Sequence, residues 1–216
     1  MSRYGASLNL VKCLGLLGGM SWESSIEYER TINRLVRARL GGVASADLII
    51  RSFNFAQIEA LQEAGDWPAA GRLLTGAAVD LQAAGAEGIV ICTNTMHRLF
   101  AEVEAAVTVP VLHIADPTAD AITAAGLTTV ALLGTRYTME QSFYVDRLQA
   151  HGLVVIVPEE PDRTVIHDVI YCELVRGVCD PYSKAAYLHI IERLLARGAQ
   201  GVIAGCTEIE LLIGAN

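Results

Sequence analysis

Lysine is almost missing from this chain: Lys12 and Lys184 are the only two, and the net charge is −8. No basic run and no interleaving of basic with aromatic residues occurs, which excludes the electrostatic footprint of a nucleic-acid binder. Long apolar runs are also missing. Leu8 to Met20 is interrupted by Lys12, broken at Gly18-Gly19 and too short to span a bilayer. It has neither a basic leader region nor a small-residue cleavage site, so no signal peptide is expected. The five cysteines, Cys13, Cys92, Cys172, Cys179 and Cys206, are odd in number and scattered, with no CxxC. That excludes a disulfide framework and fits a reducing cytoplasm. The histidines His97, His113, His151, His167 and His189 are far apart, so no metal site is expected and they read as structural or surface residues. Gly18-Gly19 continues into neither GxGxxG nor GxxxxGK[ST], so no phosphate loop is present.

What remains is a globular chain of 216 residues, 52% hydrophobic and 19% charged. That rules out disorder and allows one large domain or two small ones. Short Val/Ile/Leu runs end at glycines and alternate with helical spacing. Strands are expected at Val11–Leu17, Ala46–Ser52, Gly88–Cys92 and Val111–His113. Helices are expected at Glu23–Leu40 (Ser21 as N-cap), Ala56–Glu63, Trp67–Ala84 and His97–Ala106. The third helix presents Leu73, Leu74, Ala77, Ala78 and Leu81 as its apolar face. This βαβαβαβ order argues for a parallel sheet covered on both faces.

The pattern then restarts. Helices are expected at Thr118–Ala125, Met139–Ala150, Thr164–Arg176 and Ser183–Arg197, with strands at Val130–Leu133, Val154–Val157 and Val202–Ala204. Leu16 and Leu132 are 116 residues apart, and Gly85 and Gly198 are 113 apart. Gly85-Ala-Glu-Gly and Gly198-Ala-Gln-Gly open the two clearest copies. The chain reads as a duplication: an α/β domain over 1–115 and a second, similar one over 116–216.

Ligands of open parallel sheets gather at the carboxyl ends of the strands. Gly18-Gly19-Met20, Thr93-Asn94-Thr95, Thr135 to Thr138 and Cys206-Thr207-Glu208 fall there. In register, Thr93 matches Cys206. Two such groups facing one small ligand suit inversion at a carbon, one removing a proton and the other supplying one. A cysteine pKa near 8.5 is readily lowered by backbone N–H groups at a helix start, so Cys206 is expected as a thiolate base.

Four stretches carry a resemblance: Leu14-Gly-Leu-Leu-Gly-Gly-Met-Ser-Trp-Glu-Ser24, Cys92-Thr-Asn-Thr-Met-His97, Leu133-Gly-Thr-Arg-Tyr-Thr-Met-Glu140 and Gly205-Cys-Thr-Glu208. Together the chain resembles the aspartate/glutamate racemases, the cofactor-independent amino-acid racemases, from about Cys13 to Gly214. The resemblance implies two similar parallel-sheet α/β domains related by a pseudo-twofold. It also implies an active site in the cleft between them, an acidic amino-acid substrate, no pyridoxal phosphate and no metal. The family often forms dimers, so the resemblance is compatible with a homodimer; nothing in the sequence points to a nucleic-acid or membrane partner.

The family's usual catalytic pair is two cysteines. Here Thr93 holds the first place, Cys92 stands one residue early, and Cys206 holds the second. One step along a strand reverses a side chain, so Cys92 is expected in the packing and Thr93 at the ligand. This resembles the L-aspartate/glutamate-specific subgroup. Cys206 is then the base for the preferred enantiomer and Thr93 the opposite-face donor, with unequal directions. The resemblance gives less weight to Met20, Gln62, Asn94, Thr95, Thr138, Thr207 and Glu208 as substrate contacts. Arg51 and His167 are tempting partners for a side-chain carboxylate but read as structural. Family members continue past Asn216 with a strand and a closing helix, so a C-terminal cap is expected to be missing. Two alternatives stand beside racemisation: a one-thiol decarboxylase of a malonate or diacid isomerase, and a non-catalytic amino-acid sensor.

Overall fold

The computed structural model describes residues 11–214. By their contacts these residues fall into two units, one of residues up to 92 plus 99–112, the other of 93–98 plus 113 onward. The changeover at His113 lies three residues before the expected start of the second domain at residue 116. Residues 93–98 group with the second unit although they follow a strand of the first.

In the first unit, β1 (Leu14–Gly18), α1 (Trp22–Leu40), β2 (Leu48–Ser52), α2 (Phe55–Glu63), α3 (Trp67–Ala83), β3 (Gly88–Ile91), α4 (Phe100–Ala106) and β4 (Val111–Leu112) follow in order. The sheet order is β2-β1-β3-β4. All pairings are parallel, with Leu14 opposite both Leu48 and Gly88, and Ile89 opposite Val111. α1 begins where expected: the Ser21 hydroxyl accepts from the Ser24 N–H, and Glu23 sits in the first turn, where the helix dipole favours a negative charge. α3 buries Ala70, Leu74, Ala77, Ala78 and Leu81. Leu73, expected on that face, is 43% exposed, because the buried arc of α3 is narrower than the apolar arc of its sequence.

The second unit contains α5 (Ala115–Ala124), β5 (Thr129–Gly134), α6 (Arg136–Glu140), α7 (Ser142–Ala150), β6 (Val154–Ile156), α8 (Glu160–Cys172), α9 (Pro181–Ala196), β7 (Gly201–Gly205) and α10 (Thr207–Ile213). Its sheet order is β6-β5-β7, again parallel, with Val130 opposite Gly201 and Gly134 opposite Gly205. Second strand, first strand, third strand is thus the order in both sheets, as a duplication requires. Among the described residues β7 pairs with β5 alone, whereas β3 also pairs with β4.

Alternation along β5 builds two cores. Val130 and Leu132 pack with Ala115, Ala119, Tyr144 and Leu148. Ala131 and Leu133 pack with Ile166, Ile170, Tyr187, Ile190 and Ile209. Burying each such leucine is worth about 2 kcal/mol, so a central strand apolar on both faces is what a doubly covered parallel sheet demands. Two expected helices are broken. Gln141 is extended (φ −93°, ψ 145°) and separates α6 from α7. Glu173, with φ −122° and ψ −66°, ends α8 before a single 3₁₀ turn over Leu174–Arg176. Both breaks are single residues without glycine or proline, which is why periodicity runs straight through them.

Candidate active site

Apart from Gln62, which lies on α2, the proposed functional groups follow the carboxyl ends of strands. Cys206 follows β7. Gly205 makes that position possible: a Cβ there would come within 2.7 Å of the Leu133 carbonyl oxygen on β5, so only glycine lets the strands run this close. Cys206 is the N-cap residue of α10 with extended backbone (φ −147°, ψ 127°), and its carbonyl accepts from the Ile209 N–H at 3.0 Å. Its thiol donates to Oε2 of Glu208 at 2.9 Å. Glu208 itself is buried, 3% exposed.

This corrects the expectation of a ready thiolate. The thiol is pushed well above the ordinary cysteine range, first by burial and then by the Glu208 charge and its hydrogen bond. The backbone N–H of Glu208 pulls the other way, as expected at a helix start, but the desolvation and the carboxylate outweigh it.

The equivalent turn after β3 carries Cys92, Thr93 and Asn94. Cys92 is 0% exposed, and burial alone pushes its thiol up to about 12. Its thiol makes a long 3.9 Å approach to the Val90 carbonyl. Thr93, one residue on, is half-buried. Its carbonyl oxygen accepts from Nδ1 of His97 at 2.8 Å, while Nε2 of His97 accepts from the Ile114 N–H at 3.1 Å. Those two bonds fix the tautomer: the proton lies on Nδ1 and the ring is neutral. His113 packs its ring 4.6 Å from that of His97 and accepts from the Ala115 N–H at 3.2 Å. Burial and the nearby Arg147 charge lower His113 to about 4. His97 therefore ties the Thr93 turn to the start of α5. The sequence reading missed this role; the signal was a histidine four residues past Thr93, where a single turn brings it back onto the Thr93 carbonyl.

Asn94 is 7% exposed, and its Oδ1 accepts no hydrogen bond among the described residues. Thr95, Thr135 and Thr138 bring three buried hydroxyls together. Thr95 Oγ1 lies 2.9 Å from Thr135 Oγ1 and 3.5 Å from Thr138 Oγ1, and the last two are 3.2 Å apart. Thr135 was not singled out individually; it caps α6, accepting from the Thr138 N–H at 3.3 Å. Thr207 opens α10, half-buried beside Cys206. His167 accepts from the Arg136 N–H at 3.2 Å through Nδ1 and lies 4.7 Å from the Tyr171 ring, which fits its structural reading.

Met20 and Gln62 belong to the first unit. Both are buried, 5% and 4% exposed, so Gln62 is no solvated helix residue. Met20 follows Gly19, whose φ of 79° and contact with the Phe53 backbone exclude any side chain. The neighbouring Glu23 has a buried Oε2 that accepts no hydrogen bond among the described residues. Arg51 lies over the Phe53 ring, 4.9 Å from its centroid. Among the described residues no group of three or more His, Cys, Asp or Glu is placed to hold a metal, and no helix is long and apolar enough to cross a membrane.

The arrangement has clear counterparts among known proteins. The Asp/Glu/hydantoin racemase family model matches residues 17–215. An Asp/Glu racemase candidate from Yersinia pestis is 52% identical and superposes with a TM-score of 0.87, covering 95% of this chain and 90% of its own. An aspartate racemase homologue from Pyrococcus horikoshii OT3 is 34% identical with a TM-score of 0.78, covering 93% and 88%. The broad-specificity amino-acid racemase RacX of Bacillus subtilis is 26% identical over 140 residues, 63% of this chain and 58% of RacX. Two parallel α/β units, a Cys-Thr-Glu turn after the last strand and a match along nearly the whole chain place this protein in the Asp/Glu/hydantoin racemase family, as an amino-acid racemase.

Proposed function

We propose that the enzyme racemises acidic amino acids, aspartate or glutamate, without a cofactor, by removing the α-proton on one face and returning a proton on the other. Cys206 is the base toward the preferred L enantiomer, and Thr93 is the proton donor on the opposite face. The observation that carries this reading is the pairing of chemically competent groups at equivalent strand ends. Cys206 stands past β7 with an acceptor for its proton, while Thr93 stands half-buried past β3. Cys92 is sealed in the packing with a thiol too reluctant to ionise.

The α-proton of an amino acid is very weakly acidic, so the enediolate formed by its loss needs donors already in place. The Thr95, Thr135 and Thr138 hydroxyls and the Asn94 amide suit the α-carboxylate. The unpartnered Asn94 Oδ1 suits an ammonium N–H. An acidic substrate is supported by the family and by the aspartate racemase homologue. L and D enantiomers have equal free energy, so kcat/KM must be the same in both directions. The preference for L therefore lies in kcat and KM separately, with a larger kcat from L. The reading places the enzyme in the cytoplasm and leaves room for a homodimer.

The test is chiral chromatography of L- and D-aspartate and of L- and D-glutamate incubated in D₂O without added cofactor. Racemisation with deuterium at Cα and no carbon dioxide supports the reading. Carbon dioxide release, or binding without turnover, would replace it with the decarboxylase or the sensor.

A further inference from the structure

Three buried hydroxyls meet in the second unit, those of Thr95, Thr135 and Thr138, and their distances are unequal. Thr135 Oγ1 lies 2.9 Å from Thr95 Oγ1 and 3.2 Å from Thr138 Oγ1, whereas Thr95 and Thr138 are 3.5 Å apart. Thr135 is therefore the centre of the group, and the edge between Thr95 and Thr138 is at the limit of a hydrogen bond. Helix capping gives the group a direction. Thr135 is the N-cap of α6, and its Oγ1 accepts from the Thr138 N–H at 3.3 Å. A hydroxyl has one proton and two lone pairs. With a lone pair turned to that N–H, the Thr135 proton points to its nearest acceptor, Thr95 Oγ1. Thr95 accepts on that side, so its own proton is turned away from Thr135. We propose that Thr135 is a positioning residue: it does not meet the substrate, but it holds the Thr95 hydroxyl as a donor to the substrate α-carboxylate.

This deepens the racemase reading and rests on it, and it reassigns Thr135 from the carboxylate itself to the hydroxyl that faces it. Loss of the α-proton moves an electron pair into the carboxylate, so charge on its oxygens grows toward the enediolate. A donor already aimed at those oxygens stabilises the transition state more than the bound substrate. Without Thr135 the Thr95 hydroxyl can rotate and present a lone pair to the carboxylate instead of its proton. The cap bond thus links the start of α6, a feature of the fold, to the polarity of a site hydroxyl. The loss on removing Thr135 should pass through Thr95 and fall on kcat more than on KM.

A double-mutant cycle on the full chain tests this, with kcat and KM from L-aspartate for wild type, Thr135→Val, Thr95→Val and the double variant. Thr135→Val should lower kcat about tenfold and raise KM only about twofold. Thr135→Ser, which keeps both cap and proton, should stay within about threefold of wild type. In the Thr95→Val background, Thr135→Val should change kcat by less than about twofold, because the hydroxyl it acts on is gone. A kcat loss of the same size in both backgrounds overturns the proposal, since a merely structural cap acts whether or not Thr95 has a hydroxyl. Should Thr135→Val fail to fold, Thr135→Gly replaces it in the same cycle, because glycine preserves a helix start at little cost. If wild type binds L-aspartate in calorimetry but racemises no amino acid, the racemase reading fails, and the same cycle on the L-aspartate Kd decides the role of Thr135. Wild type that neither turns over nor binds L-aspartate overturns both.

Discussion

The ends of β3 and β7 occupy the same place in two copies of one fold, yet they carry opposite chemistry. After β7 a half-buried thiol meets a buried carboxylate at 2.9 Å. After β3 the thiol of Cys92 is buried, and half-buried Thr93 takes the next step, its backbone carbonyl held by His97. Both thiols resist ionisation, but for different reasons. Cys92 is only desolvated, whereas Cys206 is desolvated and already bonded to a proton acceptor. A raised thiol pKa therefore says little by itself about whether a cysteine works; the presence of an acceptor separates the two.

The comparison can be broken most severely at Cys206. Cys206→Ala should lower kcat/KM by about 10³-fold or more in both directions alike, measured by chiral chromatography. Loss in one direction only is thermodynamically forbidden, so an unequal result would point to a second activity in the sample. Thr93→Cys should sharpen the comparison from the other side. With a thiol at both strand ends, the ratio of the L to D kcat values should move toward one, the slower rising about tenfold. No gain in the slower kcat would count against Thr93 as the opposite-face donor.

His97→Phe removes the bond to the Thr93 carbonyl and leaves the Ile114 N–H without its acceptor. It should cost about tenfold in kcat with little change in KM, and stability should fall by about 1–3 kcal/mol in urea unfolding. Cys92→Ala should leave both kcat values within about twofold and cost about 1 kcal/mol of stability through the small cavity. That contrast between activity and stability is what separates a packed thiol from a working one.

A further expected effect, on stability and not on activity, is on pH. The folded pKa of His113 is about 4, below its unfolded value, so protons favour the unfolded chain in this window. The contribution is complete above about pH 6.5 and is lost as pH falls toward 4, by up to about 3 kcal/mol. Asp116 adds to the loss at lower pH. Its carboxyl is held below the usual range by the paired bond from Arg147 and by His151, and that stabilisation disappears as it protonates. Both contributions run in the same direction: thermal unfolding midpoints should fall from pH 7 to pH 4, and His113→Gln should flatten the upper part of that fall.

Much of the fold was legible because strand and helix signals are local. Val/Ile/Leu runs bounded by glycine on at least one side gave β1, β3, β5 and β7, and Ser21 gave the start of α1. The restart after His113 gave two units. The two helix breaks at Gln141 and Glu173 were not legible, since nothing in either residue type forbids a helix. For the site, strand-end position brought Thr93, Asn94, Thr95, Thr138, Cys206, Thr207 and Glu208 into consideration. What the sequence could not show was how strongly the Glu208 carboxylate competes with the helix-start N–H over Cys206, because the sign of that balance depends on a distance and on burial. The role of His97 was hidden for a related reason: a histidine is read as structural until its two nitrogens have named partners.

The most direct test is isotope exchange with inversion blocked. Thr93→Ala is incubated with L-aspartate and with L-glutamate in D₂O, and Cα deuterium and enantiomer are followed together. The proposed mechanism predicts that Cys206 still removes the L α-proton and returns a solvent deuteron to the same face, so deuterium enters recovered L substrate while D product nearly disappears. Unchanged inversion in Thr93→Ala, or a complete loss of exchange while Cys206 remains, would contradict it.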